Sequence, residues 1–215
     1  MTRLTLPEEL MLIALDDETG GGKLRPGVDY AVAGMALVEL SLQGRVDVSE
    51  DDRVSVLDSN PVGVSYLDAE LAKIVEKSEG SKVGTVLRRS HMSAINGAVD
   101  SLVERGVLEK KTKRVLGLLP ISRYPEAEGA PELEIRKRIG DVVLEGGEPD
   151  ERTAALIAVL HGAKLWGKAF PDADRKQVKK RMEEISEGSW VQGAVAHAVK
   201  RTRIAIAAAA AHGGG

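Results

Sequence analysis

The sequence predicts a mainly α-helical single domain, with a central buried helix, surrounding amphipathic helices and short β-hairpins. Three observations carry this. Apolar side chains recur at helical spacing through most of the 215 residues. One stretch, YAVAGMALV at residues 30–38, has no polar side chain beyond the Tyr30 hydroxyl, the pattern of a helix buried on nearly all sides. Strand-like alternation is confined to two short places. Apolar residues make up 43 % and charged residues 29 %, enough for a sizeable core, and with aromatics at 3 % that core is aliphatic.

Thr5-Leu6-Pro7-Glu8 reads as a capping box that opens a first helix. Leu6, Leu10, Ile13 and Ala14 form its stripe, and it ends near Asp16-Asp17. Gly20-Gly21-Gly22 and Pro26-Gly27 then mark a loop. The central helix follows and closes at Gly44. Glu39 inside it is a carboxylate that burial makes expensive unless paired, and Arg45 is the expected partner.

Residues 45–48 and 53–56 alternate around a polar turn and predict a hairpin. Leu67, Leu71, Ile74 and Val75 predict a helix ending before Gly80, and residues 90–105 another, closed by Gly106. Val107-Leu108 and Val115-Leu116 flank a basic turn at residues 110–114, which predicts a second hairpin. Pro120, Pro125 and Pro131 mark a loop. Helices are expected over residues 132–144, 151–169 and 174–186, with a last one from Trp190 into the alanine run at 207–211. There is no internal repeat or long linker, so one domain is expected over residues 4–211, with a frayed tail at 212–215.

Several chemistries are excluded. Without cysteine there is no disulfide, thiolate nucleophile or Cys-based zinc site. Gly20-Gly21-Gly22-Lys23 is no phosphate loop, because Leu24 follows the lysine and a helix precedes the glycines. Gly63-Val64-Ser65-Tyr66-Leu67 lacks the closing glycine of a nucleophile elbow. His91, His161, His197 and His212 show no metal-binding spacing, and His161 and His197 read as hydrogen-bonded core residues. The chain reads as a non-enzyme, with no catalytic residue, metal or cofactor. It has no apolar run of about 20 residues to span a bilayer, and MTRLTLPEEL has no signal-peptide layout.

The net charge of −3 confines any attraction to polyanions to local basic patches. Such patches occur at Arg88-Arg89, at residues 110–114, at Arg136-Lys137-Arg138 and across residues 175–181. The order helix, glycine, strand, basic turn, strand over residues 90–119 also fits a winged-helix DNA-binding unit. Against it, the helix body carries Asp100 and Glu104, with no arginine between Arg89 and Arg105.

Five blocks, LTLPEELMLIALDDETG, ALVELSLQGRV, LVERGVL, VLGLLP and RTAALIAVLHGAKL, stand in that order. Through them the chain resembles the Golgi phosphoprotein 3 family, without the acidic N-terminal tail of its animal members. The resemblance implies a non-enzymatic, peripheral membrane or scaffold protein similar to binders of phosphatidylinositol 4-phosphate. It also implies a hairpin over residues 107–119 that contacts membrane or mediates oligomerisation, with Val115, Leu116, Leu118 and Leu119 as its apolar strand. The family's lipid pocket uses a Trp, an Arg on the central helix and two arginines three apart on the helix before LVERGVL. Those positions fall here on Leu24, Ala33, Met92 and Ile95, so none matches. Arg88, Arg89, Lys23 and Arg25 are the nearby cations that would rebuild an anion or lipid head-group site. The partners implied are an anionic phospholipid surface and protein clients or a second copy through the hairpin, not nucleic acid. The alanine-rich, cysteine-free composition suggests a bacterial member, cytoplasmic and peripheral on the inner face of a membrane.

Overall fold

The all-round apolar stretch of the sequence becomes helix α2 (Val28–Leu42), and the other elements are arranged by how they cover it. The computed structural model describes residues 3–15, 24–115, 119–123 and 130–212. Helices α1 (Leu6–Ala14), α3 (Ser65–Lys77), α4 (Val83–Glu104), α6 (Glu151–Gly162) and α9 (Gly193–His212) all pack on α2. Helices α5 (Ala130–Val143), α7 (Trp166–Ala169) and α8 (Arg175–Glu187) form an outer layer on α1 and α6. Two antiparallel hairpins complete the described chain: β1 (Val46–Val48) with β2 (Val54–Val56), and β3 (Lys111–Val115) with β4 (Leu119–Arg123).

The core is aliphatic, as the composition predicts, and its largest fully buried side chains are Leu, Ile and Met. α1 is buried along its whole length, including Glu8 and Glu9. Its capping box forms as expected, with the Thr5 backbone N–H donating to Glu8 Oε2 at 2.6 Å. α6 and α8 start on aspartate caps: Asp150 accepts from Thr153 N and Asp174 from Gln177 N.

Four expectations need correction. The predicted helix over residues 151–169 is two helices, α6 and α7. Lys164 breaks it in a left-handed backbone conformation (φ 56°), which a periodicity reading expects of glycine rather than lysine. The helix before Gly106 starts at Val83, about two turns earlier than the expected residue 90. The second hairpin is shifted along the chain: the basic residues 111–114 lie in strand β3, while Val107 and Leu108 are buried in the core. Val115 and Leu119 therefore do not share one apolar strand but are paired across β3 and β4, and Leu116 and Leu118 lie outside the described residues. The helix of the winged-helix alternative exposes Arg88, Met92, Asn96 and Asp100 along one stripe, with a single cation for a DNA backbone.

α2 and α9 approach almost to backbone contact at Gly34. A Cβ there would lie 2.0 Å from Thr202 Cγ2 and 2.6 Å from Thr202 Oγ1. Thr202 is fully buried and its hydroxyl has no hydrogen-bond partner among the described residues. Gly34→Ala is therefore expected to overpack the helix pair and cost about 1–3 kcal/mol in urea unfolding. Thr202→Val keeps the shape and removes the unpaired hydroxyl, and should leave stability unchanged or raised. A neutral Gly34→Ala would show that the two helices are farther apart than described.

Candidate membrane-binding site

Three buried carboxylates on α1 and α2 engage Arg105, Arg138 and Arg152. Glu39, 4 % exposed, accepts hydrogen bonds from Leu6 N at 2.8 Å, Gln43 Nε2 at 2.9 Å and Arg152 Nη1 at 2.9 Å. Its partner is thus Arg152 of α6, not Arg45, which reaches away to Asp58. Glu8 accepts from Ser101 Oγ at 2.6 Å and pairs with Arg105 at 3.1 Å. Glu9 pairs with Arg138 and lies 3.7 Å from Arg152 Nε. Burial, then the Glu8 charge, pushes the Tyr66 phenol well above its ordinary value, so Tyr66 stays neutral in its hydrogen bond with Thr5. These groups form a closed structural set that leaves little charge for a ligand. A cavity of about 510 Å³ beside it, lined by Arg105, Arg138, Val107 and Ile135, is edged by the same paired groups.

The three described head-group cations have separate surroundings. Arg88 is exposed on α4 and has no ion-pair or hydrogen-bond partner among the described residues. Arg89 is turned to α3, where Nη1 donates to the Lys77 carbonyl and to Ser78 Oγ at 3.1 Å, closing that helix end. Arg25 donates from Nη1 to the carbonyl of Lys164 at 3.0 Å, on the loop between α6 and α7. Lys23 lies outside the described residues.

The α4 face that carries Arg88 also carries His91 and Met92, three and four residues on. The His91 ring stacks on Tyr30 of α2, with centroids 5.3 Å apart, and its Nδ1 lies 2.9 Å from Asp29 Oδ2. That approach lacks hydrogen-bond alignment. At the four positions of the family pocket, Ala33 is buried, Leu24 and Ile95 pack on the core, and Met92 is 58 % exposed. The four positions that the resemblance assigns to a lipid pocket thus carry apolar side chains, with Arg88 one turn before Met92 and Asp29 beside His91.

Residues 6–202 match the family described as Golgi phosphoprotein 3 (GPP34). The chain belongs to this family. Relatives include the vacuolar protein sorting-associated protein 74 of Eremothecium gossypii, 26 % identical over 85 % of this chain and 67 % of that protein. The protein of the same name from Schizosaccharomyces pombe is 27 % identical over 66 % of this chain, which spans about half (48 %) of the yeast protein. Membership accords with the reading of the chain as a non-enzyme. Among the described residues, no helix is long and apolar enough to cross a membrane.

A second basic region, less prominent in the sequence reading, lies on the α7–α8 edge. Lys179 Nζ sits 5.8 Å over the Trp166 ring, and the Trp166 and His161 rings are 6.2 Å apart. His197 meets its expectation, with Nδ1 2.8 Å from the Val48 carbonyl. His161 does not, because neither ring nitrogen has a partner among the described residues. Arg175, Lys176, Lys179 and Lys180, within the basic run at residues 175–181 noted in the sequence, fall on adjacent turns of α8.

Two measurements test these environments. Arg152→Met should cost about 3–5 kcal/mol in urea unfolding, because it strands the buried Glu39 and Glu9 carboxylates. A loss no larger than that of Arg45→Met would put the charge network in the wrong place. Burial, then Arg203, holds His161 below its ordinary value of 6.5. The unfolded chain takes up a proton that the folded one refuses, so this contribution is complete above that value and is lost as pH falls below it. His161→Gln should therefore lose less stability than the natural protein between pH 7.5 and 5, read from urea midpoints at each pH.

Proposed function

We propose that this protein is a non-enzymatic peripheral membrane adaptor that recognises anionic lipid surfaces, without a dedicated phosphatidylinositol 4-phosphate pocket. Membership of the Golgi phosphoprotein 3 family supports the membrane reading. The observation that carries the rest is the α2–α4 face, where Arg88 has no partner among the described residues and Asp29 opposes a phosphate. A specific phosphoinositide site needs two or three charge-assisted contacts converging on one head group. Arg89 and Arg25 spend donors on backbone carbonyls instead. The hairpin tip at Val115 and Leu119 is the proposed second contact, with a membrane or with another copy of the chain. The inner face of a cytoplasmic membrane is the proposed location.

Flotation with vesicles of neutral lipid, of phosphatidylserine and of phosphatidylinositol 4-phosphate, matched for surface charge, tests this reading. Binding to both anionic vesicles within a few-fold of each other, and none to neutral vesicles, is expected. Arg88→Gln should weaken it by about five-fold, the worth of one cation at a charged surface. A strong preference for the phosphoinositide would restore a specific pocket, and no binding to any vesicle would remove the membrane reading.

A further inference from the structure

We infer that the α7–α8 edge is a lysine-based contact surface for anionic phospholipid bilayers, separate from the α2–α4 face. This rests on the membrane reading above but is decided by different residues. Helix α8 buries only Val178, Met182 and Ile185 and turns its remaining side chains outward. Its cations and acids are segregated: Arg175, Lys176, Lys179 and Lys180 are exposed in the first two turns, and Glu183, Glu184 and Glu187 follow. There is no acid in the first turn. The helix dipole favours the reverse order, acids first and cations last, so this arrangement works against helix stability.

Intramolecular pairing does not account for the cations. Among the described residues Arg175, Lys176 and Lys179 have no salt bridge, and Lys180 only approaches Glu184 at 3.9 Å with its side chain 79 % exposed. The nearest acid before the helix, Asp174, is occupied in capping it. A further exposed cation, Lys164, stands on the α6–α7 loop two residues before Trp166.

A bilayer fits this surface better than nucleic acid does. The two tryptophans of the chain both flank α8: Trp166 lies under Lys179, and Trp190, 36 % exposed, follows the helix end. Tryptophan beside lysine is the pairing that membrane interfaces favour. A base-stacking surface needs open aromatic faces, whereas an ammonium sits over the Trp166 ring.

The experiment uses the full chain with phosphatidylserine vesicles. Each cation at such a surface is worth about a five-fold change in partitioning, so Lys176→Gln/Lys179→Gln/Lys180→Gln should lower it by about a hundred-fold. The natural protein should also be released as salt is raised toward about 1 M, where screening is nearly complete. In a Trp190→Phe background, Trp166 emission should shift on adding anionic but not neutral vesicles. The unchanged far-ultraviolet dichroism of the triple variant would verify its fold. If the natural protein binds and the triple variant binds equally, this inference fails while the membrane reading stands. If the natural protein binds no vesicle, both fail. A Lys-dependent shift of random duplex DNA with no Lys-dependent vesicle binding would overturn it in favour of nucleic acid.

Discussion

Glu39 is the group on which the rest of the arrangement depends, because a carboxylate 4 % exposed in the central helix must be answered from outside that helix. Arg152 answers it across 113 residues of sequence, and the same guanidinium donates to the Leu4 carbonyl at 2.7 Å. One side chain of α6 thereby fixes α2 against the segment that leads into α1. The Leu6 N–H, otherwise an unsatisfied donor at the first turn of α1, also ends on Glu39. Glu8 and Glu9 extend the scheme by binding Arg105 of α4 and Arg138 of α5. Such buried pairs add little net stability over apolar packing, but a missing partner is costly, so they select one helix arrangement over its alternatives.

The blocks by which the sequence resembles the family are largely the blocks that carry this network. Glu8 and Glu9 lie in LTLPEELMLIALDDETG, Glu39 in ALVELSLQGRV, Arg105 in LVERGVL and Arg152 in RTAALIAVLHGAKL. Leu24, Ala33, Met92 and Ile95, where the lipid pocket would be read, lie in none of them. The resemblance thus speaks strongly for the helix arrangement and only weakly for the ligand.

What could be read in advance follows the range of the interactions. Local signals worked: the capping box at Thr5 and Glu8, the all-round apolar α2 and the first hairpin all lie within a few residues of their cause. Interactions decided far along the chain did not. Arg45 was the near partner for Glu39, yet Asp58 lies within its reach and Arg152 comes from another helix. Arg88 and Arg89 are neighbours in sequence, but about 100° of helical rotation sends one to solvent and the other to the end of α3. The left-handed turn at the break falls on Lys164 rather than on Gly162 two residues earlier, so the glycine did not mark the position that turns.

The division of labour among the cations bears most directly on function. Arginines are largely used to hold the chain together through the directed geometry of the guanidinium. Arg53 donates to the Gly80 carbonyl, Arg136 to those of Lys168 and Ala169, Arg201 to that of Glu50 and Arg203 to that of Ser186. Lysines 176, 179 and 180 are left on the surface of α8 without such ties to the backbone. A bidentate fork suits one phosphate held in one geometry, whereas hydrated ammonium groups on flexible stems suit a diffuse sheet of charge. In the proposed membrane role, exposed lysines on α8 beside arginines tied to backbone carbonyls would favour the charge density of a surface over the identity of a single head group.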